Sequence, residues 1–356
     1  MTRKMLLVAL LAGLAAQDVS QAQKPAATEH YRAGYQLLKN GNYRNAAIEL
    51  EQATTVDPAY GDAFYALGQA YKVLNEYPRA ITAFERARQL GTLPERAAEE
   101  LGVLHYKHGL TQFQQRKYQE AIESFRASLG EQPSDAKAHY AIGLCHNGLR
   151  QTEQAQQSFQ RAIAADPEYT KAHKALGDIQ RSQGAYGAAA RLYEKAIEMD
   201  STYMDAYAGL AQARLESSDF EGTVALMRRA TRIDPSYADG YVLLGSALNR
   251  LGRQHEAVVP LDRAVELAPK DPEARYRLAE ALYGKGDDRT ALEEARQAVA
   301  LRRDFHAAEV LLGDIYQRLG QTSEARTWYT RGMQDSRLRD YARHKLQELD
   351  GGPARQ

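Results

Sequence analysis

The sequence predicts an all-α solenoid of stacked helix-turn-helix repeats, closed by a C-terminal capping helix. Three observations carry this. Small residues return every 34 positions, with one shift of 41: Gly34, Gly68, Gly109, Gly143, Gly177, Ala211, Gly245, Ala279 and Gly313. Twelve residues after each stands Ala46, Ala80, Ala121, Ala155, Ala189, Thr223, Ala257, Ala291 or Ala325, and seven further on another small residue, from Ala53 to Gly332. Segments between repeats end in Asp-Pro or a relative, as at Asp57-Pro58, Asp166-Pro167, Asp234-Pro235 and Ala268-Pro269. A period in this range marks elements that cannot bury an apolar face alone and build a continuous core by stacking.

The elements follow in chain order. Residues 1–22 read as a secretory signal. Arg3 and Lys4 form a positive start, Met5 to Ala16 is an unbroken apolar run, and Ser20-Gln21-Ala22 offers small residues for cleavage after Ala22, with Ala15 as the alternative. The run is shorter than the roughly 20 residues of a membrane-spanning helix. The lone Cys145 lies inside a repeat, so neither a lipid anchor on a mature N-terminal Cys nor an internal disulfide is expected. The mature protein is therefore expected to be exported, with a bacterial periplasm as its place and no stable membrane insertion.

Residues 23–349 form the solenoid. Within each repeat a first helix carries an apolar face (Ala63-Phe64, Leu67-Gly68, Tyr71) and a turn follows, often with Gly, as at Gly41, Gly184, Gly252, Gly286 and Gly320. A second helix places Ala80, Phe84 and Ala87 at helical spacing, and proline then ends it. Seven residues, Glu95 to Leu101, break the period between the second and third repeats. Nothing from Pro94 to Gln114 interrupts a helix, and seven residues are nearly two turns, so one long helix is expected with Ala97, Ala98 and Leu101 near the apolar face. It either protrudes to dock a partner or adjusts packing. The sixth repeat, with Thr223 and Met227, should pack more loosely, and Pro260 should kink the seventh repeat's second helix. Residues 338–349 read as a cap helix and 350–356 as a disordered tail.

These residues resemble the tetratricopeptide repeat, whose 34-residue pattern runs aromatic, Leu-Gly, Tyr, Ala, Phe, Ala and Pro. The likeness covers about 27–337, with repeats starting near 27, 61, 102, 136, 170, 204, 238, 272 and 306. It implies a right-handed superhelix of helical hairpins whose first helices line a concave groove, chiefly through the second, fifth, ninth and twelfth positions of each repeat.

Those positions give three zones. Tyr31, Tyr35, Tyr65, Tyr106, Phe113 and Tyr140 form an aromatic stripe, and Lys137, Lys171, Lys174 and Arg181 a basic patch. Asp178, Asp205, Asp239, Glu273, Glu280 and Asp314, with Tyr276 and Tyr283, form an acidic zone, where first-turn carboxylates also suit the helix dipole. Rings that hold apolar side chains beside cations that hold carboxylates suit an extended peptide, and tyrosines also stack on sugars. The ninth-position Asn of the family's carboxylate clamp is replaced, as by Tyr35, Gln69, Leu110 and Leu144.

Catalysis is not expected. The sequence has no phosphate loop, Ser/His/Asp order, paired-Cys motif or HExxH. His30, His105, His139 and His173 share one register, but stacked helices lie about 10 Å apart, too far for two imidazoles to hold one metal. His105 and His108 on one helix could share a ligand; packed imidazoles are the simpler reading. Lys plus Arg equals Asp plus Glu at 46 each, so no nucleic-acid-binding excess exists. The expected function is a non-enzymatic scaffold that binds a protein or peptide in its groove, with no cofactor and no metal. An envelope-polysaccharide or cell-wall assembly factor is the alternative, and a metal-dependent enzyme a remote one. Self-association through the end repeats or the long helix of the third repeat stays open.

Overall fold

The computed structural model describes residues 25–351; the expected signal segment, 1–22, and the tail from residue 352 lie outside them. Among the described residues there are helices and turns and no strand. They fall into two compact blocks, divided after Ala172. The first holds α1 (25–39), α2 (Tyr43–Val56), α3 (Gly61–Val73), α4 (Tyr77–Gln89), α5 (Pro94–Gln114), α6 (Tyr118–Glu131), α7 (Ala136–Gly148) and α8 (Thr152–Ala165). The second holds most of α9 (Thr170–Ser182), then α10 (Tyr186–Met199), α11 (Met204–Glu216), α12 (Phe220–Ile233), α13 (Ala238–Arg250) and α14 (Gln254–Leu267). It continues through α15 (Pro272–Lys285), α16 (Asp288–Leu301), α17 (His306–Arg318), α18 (Thr322–Gly332) and the cap, α19 (Arg339–Leu349).

Odd and even helices pack as hairpins: α3 on α4, α5 on α6 and α7 on α8 in the first block, and α11 on α12, α13 on α14, α15 on α16 and α17 on α18 in the second. The recurring glycine has a steric cause. A Cβ on Gly68 would lie 2.8 Å from Cδ2 and Cε2 of Phe84, and one on Gly109 would lie 2.7 Å from the Phe125 ring. Both rings are fully buried, so only a bare backbone lets the first helix settle on them. Where the small residue is alanine, at Ala211 and Ala279, the residue sixteen positions on is Met227 or Ala295 rather than an aromatic ring.

Each hairpin turn contains one left-handed residue. Gly41, Gly184, Gly252, Gly286 and Gly320 supply it in five repeats, and Asn75, Arg116, Arg150 and Ser218, at φ near 60°, supply it in the others. Side-chain-bearing residues carry a cost of roughly 1–2 kcal/mol there, which the closing hydrogen bonds offset, such as Glu76 N–H to the Tyr71 carbonyl at 3.0 Å. Between hairpins, the carboxylates of Asp57, Asp166, Asp200 and Asp234 each accept from the backbone N–H two residues on. That local turn aims the chain into the next first helix.

Within each block the first helices also approach one another: α5 and α7 in the first block, and α11, α13, α15 and α17 in the second. Among the described residues no two second helices come as close. A stack whose one row is tighter bends toward that row, so the first helices line the inner side of each block.

The three sequence irregularities have distinct outcomes. The insertion is absorbed as continuous helix in the 21-residue α5, with Ala97 and Leu101 fully buried and Leu101 in the core of α3 and α4. It lengthens the wall of the stack instead of projecting from it. In the sixth repeat Thr223 and Met227 are fully buried, and the Thr223 hydroxyl donates to the Asp219 carbonyl at 2.8 Å. A cavity of about 370 Å³ lies between α10, α11 and α12, lined in part by Leu210, Ala225 and Leu226. Helix α14 runs through Pro260 as one element. The hydrogen bond that proline removes lies beside Val259, which is 74% exposed, so water can satisfy the freed carbonyl.

Candidate interaction groove

In the first block, Tyr65, Tyr106 and Tyr140 occupy equivalent places on α3, α5 and α7 and build a ladder. Each rests on the buried ring of its own second helix: Tyr65 on Phe84, Tyr106 on Phe125 and Tyr140 on Phe159, with ring centroids 5.2, 5.4 and 5.5 Å apart. The three tyrosines are half-buried. One side of each ring is committed to the core, and part of each ring stays exposed. Tyr31 and Tyr35 pair on α1, at 5.7 Å, and Lys39 lies over Tyr35. Phe113 does not join the ladder; it packs on Tyr118 at the α5–α6 turn, at 5.6 Å.

Two rings of this surface were missed from the sequence. Tyr60 packs on Tyr31 at 5.0 Å, and Tyr169 meets Tyr140 edge-on at 5.3 Å. Both are the last residue before a first helix, and both follow Asp-Pro by two positions (Asp57-Pro58-Ala59-Tyr60 and Asp166-Pro167-Glu168-Tyr169). The same spacing recurs at Asp234-Pro235-Ser236-Tyr237, so a legible signal existed. Burial, then the neighbouring phenols of Tyr140 and Tyr106, pushes the Tyr169 hydroxyl up to about 12. Burial likewise raises Tyr31 and Tyr106. These phenols stay neutral at physiological pH and can donate hydrogen bonds.

The basic residues separate into two kinds. Lys137 and Lys171 are exposed in the first block and their ammonium groups pair with no carboxylate among the described residues. Lys137 precedes Tyr140 by three residues on α7, and Lys171 follows Tyr169 by two. In the second block, Lys174 pairs with Asp178 at 2.8 Å, and Arg181 with Glu216 at 2.7 Å. Asp178 also accepts from the Tyr193 hydroxyl at 2.8 Å. Of the basic patch read from the sequence, Lys174 and Arg181 are thus partly neutralised by ion pairs, whereas Lys137 and Lys171 are not.

The acidic zone is similarly engaged. Glu273 and Glu280 hold Arg277, and Asp314 accepts from Tyr329 and Tyr341 at 2.7 and 2.9 Å. The histidines serve local structure: His30 meets Glu49 at 2.8 Å, and burial lowers His105 and His108. Among the described residues no three His, Cys, Asp or Glu side chains group as metal ligands.

Tetratricopeptide repeat models match residues 31–97, 65–112, 106–150, 148–203 and 276–335, and two further models of the same repeat match 180–244 and 238–281. Together they run unbroken from 31 to 335. The chain belongs to the tetratricopeptide repeat (TPR) family. No curated protein matches it. Among solved structures, it is similar to the C-terminal part of a TPR repeat-containing protein from Cytophaga hutchinsonii, at 15% identity and TM-score 0.53 over 68% of this chain and 99% of that one. YrrB, described as a TPR protein with an unusual peptide-binding site, aligns at 23% identity and TM-score 0.44, over 53% of this chain and 97% of its own. Yeast Tom70 aligns at 13% identity and TM-score 0.46, over 91% and 95%. The TPR fold is an interaction scaffold, and what this chain holds depends on its own groove residues.

Proposed function

We propose that this TPR protein is a non-enzymatic scaffold that binds an extended peptide, or an extended segment of a larger protein, along the inner side of its first block. The observation that carries this reading is the ladder of Tyr65, Tyr106 and Tyr140, extended by Tyr169, beside the unpaired cations of Lys137 and Lys171. A half-buried ring is already ordered by its neighbours, so a ligand that covers its free side need not immobilise it again. Tyrosines held this way are good anchors, and the two cations favour acidic or carboxylate-bearing segments. Tyr31, Tyr35 and Tyr60 supply a second aromatic patch at α1.

Removing Tyr106 and Tyr140 together tests the site. Each Tyr→Ala change should weaken a captured partner by more than roughly 1 kcal/mol. Phe125 and Phe159 stay in place beneath them, so helix content should be retained. Unchanged partner affinity in the double variant would rule out this groove. Residues 1–22 support export to a bacterial periplasm, and N-terminal sequencing of the protein from cell fractions checks it: cleavage after Ala22 is expected, and an intact cytoplasmic N-terminus refutes it.

A further inference from the structure

The second block carries, in its own right, a cavity of about 370 Å³ at the C-terminal ends of α11 and α13. Its walls are Leu215 and Phe220, and its polar groups are Ser218, Ser246, Glu216, Arg250 and Arg277. Most of these charges are already balanced. Arg277 is held by Glu273 at 2.9 Å and Glu280 at 3.2 Å, and Glu216 holds Arg181 at 2.7 Å. Arg250 differs. Its guanidinium lies over the Phe220 ring, 5.5 Å from the centroid, and meets no carboxylate among the described residues. The ring orients the cation without neutralising it. The hydroxyls of Ser218 and Ser246 also have no partner among the described residues.

We propose that this cavity binds a carboxylate on a short alkyl stem. The carboxylate takes the Arg250 guanidinium in a paired, two-bond geometry and accepts from the serine hydroxyls. The stem lies between Leu215 and Phe220. A single excess cation calls for a single negative charge, and Glu216 at the same cavity disfavours a dianion such as phosphate. The source is either an acidic side chain within a bound peptide or a free small acid.

Calorimetric titration of the full chain with two probes tests this. One is acetyl-Gly-Glu-Gly-amide, with its Gln counterpart as the control; the other is butyrate, with butyramide as the control. At least one acid should bind at least about tenfold more tightly than its amide, and more weakly as salt rises. Arg250→Gln should remove that preference, and Arg250→Lys, which keeps the charge and loses the fork, should retain part of it. Arg250 is exposed, so its replacement leaves the fold intact, as helix content by circular dichroism would verify. Binding of the peptide alone assigns an acidic side chain, binding of butyrate alone assigns a free acid, and binding of both shows that the carboxylate alone is read. Equal affinity for acid and amide, no binding of either acid at millimolar concentration, or an unchanged Arg250→Gln variant overturns the proposal. The Tyr106/Tyr140 double variant leaves this cavity intact, so the two readings fail separately.

Discussion

Gly68→Ala offers a direct test of why the small residue recurs. The new Cβ would sit 2.8 Å from Cδ2 and Cε2 and 2.9 Å from Cγ of Phe84. Relaxed carbon contacts lie at about 3.5–4.0 Å, so the ring must retreat by about 0.7 Å or more. Phe84 is fully buried and Tyr65 stands edge-on against it at 5.2 Å, which leaves little room to retreat. Overpacking of this kind costs about 1–3 kcal/mol. Alanine is also the better helix former by about 1 kcal/mol, so the net loss is about 0–2 kcal/mol and indecisive alone. The decisive experiment pairs it with Phe84→Met, which copies the native combination of Ala211 and Met227. In that background Gly68→Ala should be neutral or stabilising by up to about 1 kcal/mol, giving a coupling energy of about 1–3 kcal/mol. Stacked repeats do not unfold as one two-state unit, so native-state hydrogen exchange of α3 and α4 is the suitable assay. A coupling below about 0.5 kcal/mol would falsify the steric explanation.

Two further outcomes concern single buried groups. Burial raises the Asp314 carboxyl above its ordinary 3.8 despite hydrogen bonds from Tyr329 and Tyr341 and the nearby Lys345 and Arg318. Its folded form therefore favours the proton: the stability it lends the α17–α19 region is complete below pH 3.8 and is lost as pH rises through the raised value. Asp314→Asn should flatten that dependence, measured by hydrogen exchange of α19 across acidic pH, and an unaltered profile contradicts the assignment. Cys145 is fully buried and its thiol is pushed up to about 12. Aromatic-disulfide labelling at pH 8 should therefore proceed only as fast as α7 opens, with added urea accelerating it; immediate reaction in native buffer contradicts that burial.

Much of the architecture was legible because it repeats. A small residue returns nine times, Gly at seven of the positions and Ala at Ala211 and Ala279, because each first helix crosses its partner closely and the space left depends on the side chain it meets. Pro94 and the unbroken run to Gln114 gave the long α5 directly. The ladder of Tyr65, Tyr106 and Tyr140 was visible for the same reason. Tyr60 and Tyr169 stand just before α3 and α9, outside the helical register that gives the groove positions, so periodicity does not point to them.

Charge was the least legible feature. Lys174 and Arg181 looked equivalent to Lys137 and Lys171, yet only the first two meet carboxylates. Arg181 finds Glu216 from 35 positions away, across two neighbouring first helices. The sequence by itself therefore determined the repeat, its hairpins and the register of its rings, because those follow from local periodicity and from side-chain size. Tertiary structure decided which cations are spent on ion pairs, left Arg250 unpaired over Phe220, and opened a cavity beside it. Such outcomes depend on distances between residues far apart in the chain, and periodicity does not encode them.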